Sequence, residues 1–224
     1  MRVPRLSIGL PVYNGEKYLG AALHSLLSQD YTDFELIIAD NASTDGTEEI
    51  ARLNALGDPR IRYYRNPANI GAGPNFRLVF DLARGEFFKW AASDDMHYPG
   101  FLRRCVEALA AAPPEVVLVT PRAFLIDEEG FSLMDEAGLP LPRAGCGPGD
   151  TGPERLSTRA KTPHRRLAEV LPALRWSTAQ FGLFRRKALA LTRKIDSFHA
   201  SDRVLLAEVA MLGEIVEIDG PAAR

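Results

Sequence analysis

The sequence predicts an α/β protein built on a mostly parallel sheet flanked by helices. Short apolar runs alternate with segments of helical period over the first 120 residues. Strands separated by helices imply parallel βαβ units with right-handed crossovers. Apolar residues make up 46% and charged residues 25% of the 224, the balance of a globular chain. Polar, turn-forming residues also gather at the ends of four successive strands, the edge where open α/β sheets bind ligands.

Leu6–Leu10 reads as the first strand. Tyr18, Leu19, Ala22, Leu23, Leu26 and Leu27 then recur at the helical period and make one apolar stripe. Phe34–Ala39 is a second buried strand, closing at Asp40. Thr47–Ala55 is helical until Gly57-Asp58-Pro59 breaks it. Ile61–Arg65 is the third strand. Pro74 suits a helix first turn, and Phe76, Val79, Phe80 and Ala83 continue that helix. Phe87–Ala91 is the fourth strand. Phe101–Ala111 is a helix stopped by Pro113-Pro114, and Val116–Thr120 is the fifth strand.

The character changes after Phe131. Ser132–Arg165 has no aromatic residue but five glycines and five prolines in 34 positions, a composition that predicts a long mobile loop. Order resumes with Leu167–Leu174. A strand is expected over Phe181–Arg185, a short helix over Arg186–Leu191, a full helix over Val204–Leu212 and a last strand over Glu214–Ile218. Ser201 is placed to cap that full helix, with Asp202 in its first turn facing the positive end of the dipole. One domain over residues 1–224 is expected, with halves 1–120 and 121–224 and the loop 132–165 in the second.

Several function classes fall away at this level. Lys plus Arg is 27 and Asp plus Glu is 29, a net charge of -2, so the chain lacks the positive excess that polyphosphate binding needs and nucleic acid is not its partner. Two cysteines, Cys105 and Cys146, make neither a disulfide framework nor a four-thiolate zinc site. No apolar run reaches the 18 or more residues of a membrane span. The N-terminal apolar run is too short for a signal peptide. A cytoplasmic location is expected, with peripheral contact at the inner face of the membrane left open.

The four strand ends carry Pro11-Val12-Tyr13-Asn14-Gly15-Glu16, Asp40-Asn41-Ala42-Ser43-Thr44-Asp45-Gly46-Thr47, Asn66-Pro67-Ala68-Asn69-Ile70-Gly71 and Ser93-Asp94-Asp95. The dinucleotide fingerprint Gly-x-Gly-x-x-Gly and the Walker pattern are both absent, so a glycine-rich cradle in the first loop does not hold phosphates. Asp94-Asp95 offers the other solution, a divalent ion bridging carboxylate and phosphate oxygens.

Pro11–Leu19, Ser25-Leu26-Leu27-Ser28-Gln29 and Ile38–Thr47 together resemble the family 2 glycosyltransferases, and Asn69-Ile70-Gly71 and Ser93-Asp94-Asp95 fall where that family places its next two motifs. The resemblance covers about the first 120 residues. It implies a GT-A fold, a nucleoside-diphosphate sugar as donor, a manganese or magnesium ion, a hydroxyl-bearing acceptor (a sugar, a lipid-linked sugar or a small molecule) and inversion at the anomeric carbon. Asp40 would then accept an N–H of the nucleobase, and Tyr13 would either lie against the base face or pack in the core. Pro11 and Asn14 would shape the turn around the nucleotide, and Glu16 would contact its ribose or base. Asn69 and Gly71 would bring backbone close to the donor. Ser93 and Asp94 would complete the donor site.

For metal the resemblance points to Asp94, with Asp95 beside it. The family usually shows Asp-x-Asp here; this chain has Ala92-Ser93-Asp94, so the first acid is missing and a weakened metal site is expected. The general base of an inverting transfer would be Asp202, at the start of a late helix. His199 and His97 are candidates to complete the metal shell, Arg185, Arg186 and Lys187 to offset diphosphate charge, and Trp176 to face the acceptor sugar. Asp45 reads as an Asx turn. Arg175-Trp176 is not the Gln-x-x-Arg-Trp signature of processive synthases, since position 172 is Pro172 and the pair precedes the base; non-processive transfer is expected. The rival readings are a nucleotide-sugar pyrophosphorylase, whose glycine-rich basic first loop Pro11–Glu16 does not supply, and a weakly active nucleotide-sugar-binding protein, suggested by Ala92.

Overall fold

In the computed structural model, β1 (Leu6–Val12) lies between β2 (Phe34–Asp40) and β4 (Phe87–Trp90) and runs parallel to both. The structure describes residues 2–123, 126, 127, 131, 133, 156–174 and 177–223. β3 (Ile61–Arg65) adds in parallel outside β2. On the other flank come β6 (Leu183–Arg185), β5 (Val116–Ala123) and β7 (Glu214–Ala223), giving the order β3-β2-β1-β4-β6-β5-β7. β6 pairs antiparallel to both β4 and β5, and β5 pairs parallel to β7. The sheet is therefore parallel except for β6, a late segment inserted between the fourth and fifth strands.

Alternate side chains of each strand enter different layers, as the period of two requires. Leu6, Ile8, Leu10, Leu36 and Ile38 pack under α1 (Glu16–Leu27), α2 (Thr47–Gly57) and α4 (Phe101–Ala111). Ile37, Ala39, Phe88 and Trp90 pack under α3 (Ala72–Asp81), α5 (Pro163–Val170) and α7 (Ser201–Leu212). The second layer is richer in rings: Phe80, Phe88, Trp90 and Phe184 meet edge to face with centroids 5.0–5.9 Å apart. The buried Trp90 indole donates to Phe76 O at 3.0 Å, which fixes the middle of α3 to the sheet.

The register places Val12, Asp40 and Arg65 abreast, so the first three strands end together. Far from that edge sits a buried carboxylate. Glu35 accepts hydrogen bonds from Ser7 Oγ at 2.6 Å, the Arg84 backbone N–H and side chain, and Arg62 at 2.7 Å. Burial works to raise its pKa, and these donors outweigh it and hold it below the usual value.

Three expectations need correction here. The strand expected over Phe181–Arg185 starts as a 3-10 turn, Thr178–Phe181, closed by Gly182 N donating to Ala179 O; only Leu183–Arg185 pairs. The short helix expected to Leu191 is α6 (Arg186–Leu189). The loop expected to last until Arg165 ends earlier. Leu156 is buried, Thr158 N donates to Ile215 O at 2.8 Å, and α5 starts at Pro163. Arg166 anchors this return, with its guanidinium donating to Ala210 O, Met211 O, Ala160 O and Lys161 O, so α5 is fastened to the C-terminus of α7. Residues 134–155, Cys146 and Trp176 lie outside the described residues. No helix among the described residues is long and apolar enough to cross a membrane.

Candidate active site

A cavity of about 250 Å³ opens where β1 and β2 end and α3 begins. Pro11, Val12 and Tyr13 form one wall, Asn41 and Asn69 the floor, and Gly71, Ala72, Asn75 and Phe76 the other wall. Tyr13 is 49% exposed, so it belongs to the cavity and not to the core. Gly71 enters α3 at φ 86°, a left-handed conformation open to glycine at little cost. The floor is a chain of amides. Asn41 Nδ2 donates to Asn69 Oδ1 and Gly71 O; Asn41 Oδ1 accepts from Asn66 Nδ2 and Ile70 N; Asn66 Nδ2 also donates to Asn75 Oδ1, and Asn75 Nδ2 donates to Ala39 O. These bonds fix the shape of the third strand's loop before any ligand arrives.

Asp40 is not part of this cavity. It is fully buried, accepting Ser43 N at 2.8 Å on Oδ1 and Tyr63 OH and Arg65 NH1 on Oδ2. Strand parity explains this placement: Asp40 shares its face with Leu36 and Ile38, which point into the α1–α2 layer. The residue presented to the cavity is its neighbour, Asn41. Burial works to raise the Asp40 pKa, but the bonds from Ser43, Tyr63 and Arg65 hold the carboxyl below its ordinary value. Burial and the Asp40 charge in turn push the Tyr63 hydroxyl up to about 12.

Asn14 and Glu16 serve the frame of the cavity. Asn14, at φ 51°, donates its N–H to Ser43 Oγ and accepts Thr44 N on its side chain. Gly15 N donates to Thr47 Oγ1, Glu16 N to Asp45 Oδ2 and Gly46 N to Glu16 Oε2. The first two strand-end loops are thus stapled together, and the Glu16 carboxylate is engaged with the start of α2. Asp45 closes its Asx turn on Thr47 N at 3.1 Å.

Beyond β4 the chain turns through Ser93, Asp94 and Asp95. Asp94 is exposed and Asp95 half-buried. Burial and the adjacent Asp94 charge push the Asp95 carboxyl up to about 6, against the pull of Lys89. The segment after the turn is held by Ser25 of α1 and by Gln29, which follows the helix C-cap Ser28: His97 N donates to Ser25 Oγ, Gln29 Nε2 to Tyr98 O, and Leu102 N to Gln29 Oε1. That is the physical use of Ser25-Leu26-Leu27-Ser28-Gln29.

Beneath the turn lies a pair that sequence reasoning missed. Lys89 is 1% exposed; its ammonium donates to Trp90 O at 2.7 Å, meets His97 Nε2 at 3.0 Å and lies 5.2 Å from the Phe101 ring centroid. A lysine inside the apolar strand Phe-Phe-Lys-Trp was the signal. Burial and the Lys89 charge push the His97 pKa well below its usual value, and its Nε2 is turned to the Lys89 ammonium beneath the acid turn. Burial lowers Lys89 to about 8 from 10.5. The folded chain therefore releases this proton before the unfolded chain does, and stability rises with pH across that interval. Relative to Lys89→Met, the native chain is expected to gain about 2 kcal/mol of unfolding free energy between pH 7 and 9.5. Urea denaturation at the two pH values reads this; equal pH dependence in both proteins would refute it.

The donor set of the turn suits a hard cation. Two adjacent carboxylates are offered, and among the described residues no group of three or more His, Cys, Asp or Glu forms a complete cage. Magnesium-type ions held by one or two carboxylates and substrate phosphates need no more than this.

Asp202 lies in the first turn of α7, partly exposed. Ser201 does not cap that helix: it is the first helical residue, and its Oγ donates to Asp196 O at 3.0 Å. Ala200 precedes it at φ 61° with no side-chain cap. His199 is exposed in the same segment. Arg185 donates to Val116 O, Leu109 O and Ala112 O, and Arg186 to Gly85 O, so both are structural and neither faces the acid turn.

The model of the glycosyl transferase family 2 matches residues 7–190. An uncharacterized glycosyltransferase of Rickettsia typhi is 33% identical over 130 residues, 58% of this chain and 40% of that protein. Chondroitin synthase of Escherichia coli is 35% identical over 106 residues, 47% of this chain and 15% of that one. Among solved structures, the 1-349 fragment of S. aureus TarS superposes with a TM-score of 0.69 at 19% identity, covering 98% of this chain and 59% of that fragment, and has also been solved with UDP-GlcNAc. The mannosyltransferase PcManGT of Pyrobaculum calidifontis, in complex with GDP-Man and Mn2+, gives 0.67 at 18% identity, covering 99% and 57%. At these identities the structures share the fold, which is GT-A. The chain spans less than two thirds of each of these proteins.

Proposed function

Since the chain belongs to glycosyl transferase family 2, we propose that it moves a sugar from a nucleoside-diphosphate donor to a hydroxyl acceptor, with inversion, one sugar per encounter. The observation that carries this reading is the juxtaposition at one sheet edge of the cavity walled by Tyr13, Asn41 and Gly71 with the Asp94–Asp95 turn. The nucleobase enters the cavity beside Tyr13, with Asn41 at its floor in place of Asp40. The ribose and diphosphate lead toward Ser93 and Asp94. UDP-GlcNAc and GDP-Man with Mn2+ in the structural neighbours support a donor of this class.

Asp94 and Asp95 would hold magnesium or manganese, which when bound supplies positive charge to the departing diphosphate. Asp202 takes the proton of the acceptor hydroxyl as its oxygen bonds to the anomeric carbon and the bond from that carbon to the diphosphate oxygen breaks. The stapled loops and the amide floor keep the donor side fixed, which places reorganisation before the reaction and not within it.

A thermal-shift panel of UDP-, GDP- and dTDP-sugars, with and without Mn2+, tests the donor class. At a ligand concentration of about a hundred times Kd the matching donor stabilises by about 2.7 kcal/mol, roughly 5–10 °C for a chain of this size. Asp94→Ala is expected to remove the Mn2+-dependent part of that shift and leave the ligand-free Tm unchanged. No shift with any donor, or an Mn2+ effect that survives in Asp94→Ala, would overturn the reading.

A further inference from the structure

One helix separates the cavity from the segment that leads to Asp202. α3 turns Ala72, Asn75 and Phe76 toward the cavity, with Gly71 just ahead of them. Its adjacent face, Gly73, Arg77 and Phe80, follows at the helical spacing of four and three residues and meets residues 194, 196 and 197. The approach at Gly73 is very close: a Cβ there would lie 2.5 Å from the Asp196 carbonyl carbon and 2.8 Å from Ser197 N. Both obstacles are backbone, so no flexible side-chain tip can swing away. Arg77 donates to Asp196 Oδ1 at 3.0 Å, and the Lys194 ammonium sits 4.7 Å from the Phe80 ring centroid.

From this contact the chain runs straight to the acid. Asp196 O accepts Ser201 Oγ at 3.0 Å, Ser201 is the first residue of α7 and Asp202 the second. The segment is bounded by two left-handed non-glycine residues, Lys194 at φ 62° and Ala200 at φ 61°. Such conformations persist only where the surroundings determine them. Here the surroundings are the α3 face and the Ser201–Asp196 bond.

We propose that Gly73, with the Arg77–Asp196 pair, is a positioning residue for transfer: it lets the 194–200 segment seat directly on the wall of the donor cavity and so sets where Asp202 stands relative to the sugar. This rests on reading Asp202 as the general base and the cavity as the donor site. α3 then serves as a common reference for donor and base, with the nucleotide on one face and the base-bearing segment on the next. A methyl at position 73 must push the segment away, and a displacement near 1 Å of a reacting group costs about a hundredfold.

The test follows nucleoside-diphosphate release from the sugar nucleotide that stabilises the chain most, with Mn2+ and with water as acceptor, alongside direct binding of that nucleotide. Gly73→Ala is expected to lower kcat about ten- to a hundredfold with the donor Kd within about threefold. A general loss of packing would lower Tm and affect both readouts. Arg77→Met and Asp196→Asn are expected to lower kcat about threefold each, and together no more than either alone, because they share one contact. In an Asp202→Asn background Gly73→Ala is expected to cost nothing further in kcat. Turnover within twofold of the native chain in Gly73→Ala, while Asp202→Asn is inactive, would overturn the positioning role and leave the base assignment standing. Proportional loss of kcat and donor binding would overturn it as well. Should Gly73→Ala fail to fold, full turnover in both Arg77→Met and Asp196→Asn decides against the proposal. Retention of turnover in Asp202→Asn would remove the base assignment and the proposal with it.

Discussion

Asp202→Asn is expected to lower turnover at least a hundredfold, within the range of about 10²–10⁴ that general-base catalysis supplies. The amide keeps the volume and the position but cannot accept the proton from the attacking hydroxyl. Donor binding is expected to stay within about twofold, because the cavity and the acid turn are built from other elements. Stability is expected to fall by no more than about 1 kcal/mol, the scale of a first-turn acid on a helix dipole. The measurement is the rate of nucleoside-diphosphate release beside a thermal melt. A variant keeping a tenth or more of native turnover would leave Asp202 without a chemical role.

The largest effect on stability is expected at the opposite edge of the sheet. Glu35→Ala removes the acceptor shared by Ser7, Arg62, Arg84 and the Arg84 backbone N–H. Glu35 is 3% exposed, so the guanidinium of Arg62 would lose a buried partner and the Arg84 N–H a buried acceptor. Breaking such a pair from one side costs about 3–5 kcal/mol, which is roughly 10 °C in Tm for a chain of this size. The sign with pH follows from a folded pKa held below the unfolded one: the contribution is present above 4.5 and lost as the pH falls through the depressed value. Glu86→Ala, on an exposed ion pair 3.4 Å from Arg5, is the control and is expected to change stability by less than about 1 kcal/mol. A Glu35→Ala loss as small as the control's would mean the cluster is ornamental.

The local elements of the first half were legible because each obeys one period. Ile61–Arg65 and Phe101–Ala111 form over the residues their apolar spacing marks. Of the residues expected at the site from strand ends and motif, Pro11, Tyr13, Asn69 and Gly71 line the cavity. Counting alternate residues back to Ile38 and Leu36 assigns Asp40 to the face covered by α1 and α2, away from the cavity, a signal present in the strand itself. Asn75 and Phe76 were missed because nothing local distinguishes a cavity wall from an ordinary helix face. Lys89 was separable as an oddity in an apolar strand, but its contact with His97 joins two segments eight residues apart across a turn.

Periodicity and turn residues alone specify the α/β class, the order of the first five strands and the polar residues and acids at the strand ends. These follow from short-range rules of periodicity, turn chemistry and motif spacing. Three features emerge only on folding: β6 enters antiparallel between β4 and β5, Asn41 and not Asp40 lines the cavity, and residues 196 and 197 close on Gly73. Each depends on backbone and side chains that lie far apart along the chain and become neighbours only when the sheet closes. Their free energy comes from burial and hydrogen bonds made across that distance, which no local pattern encodes.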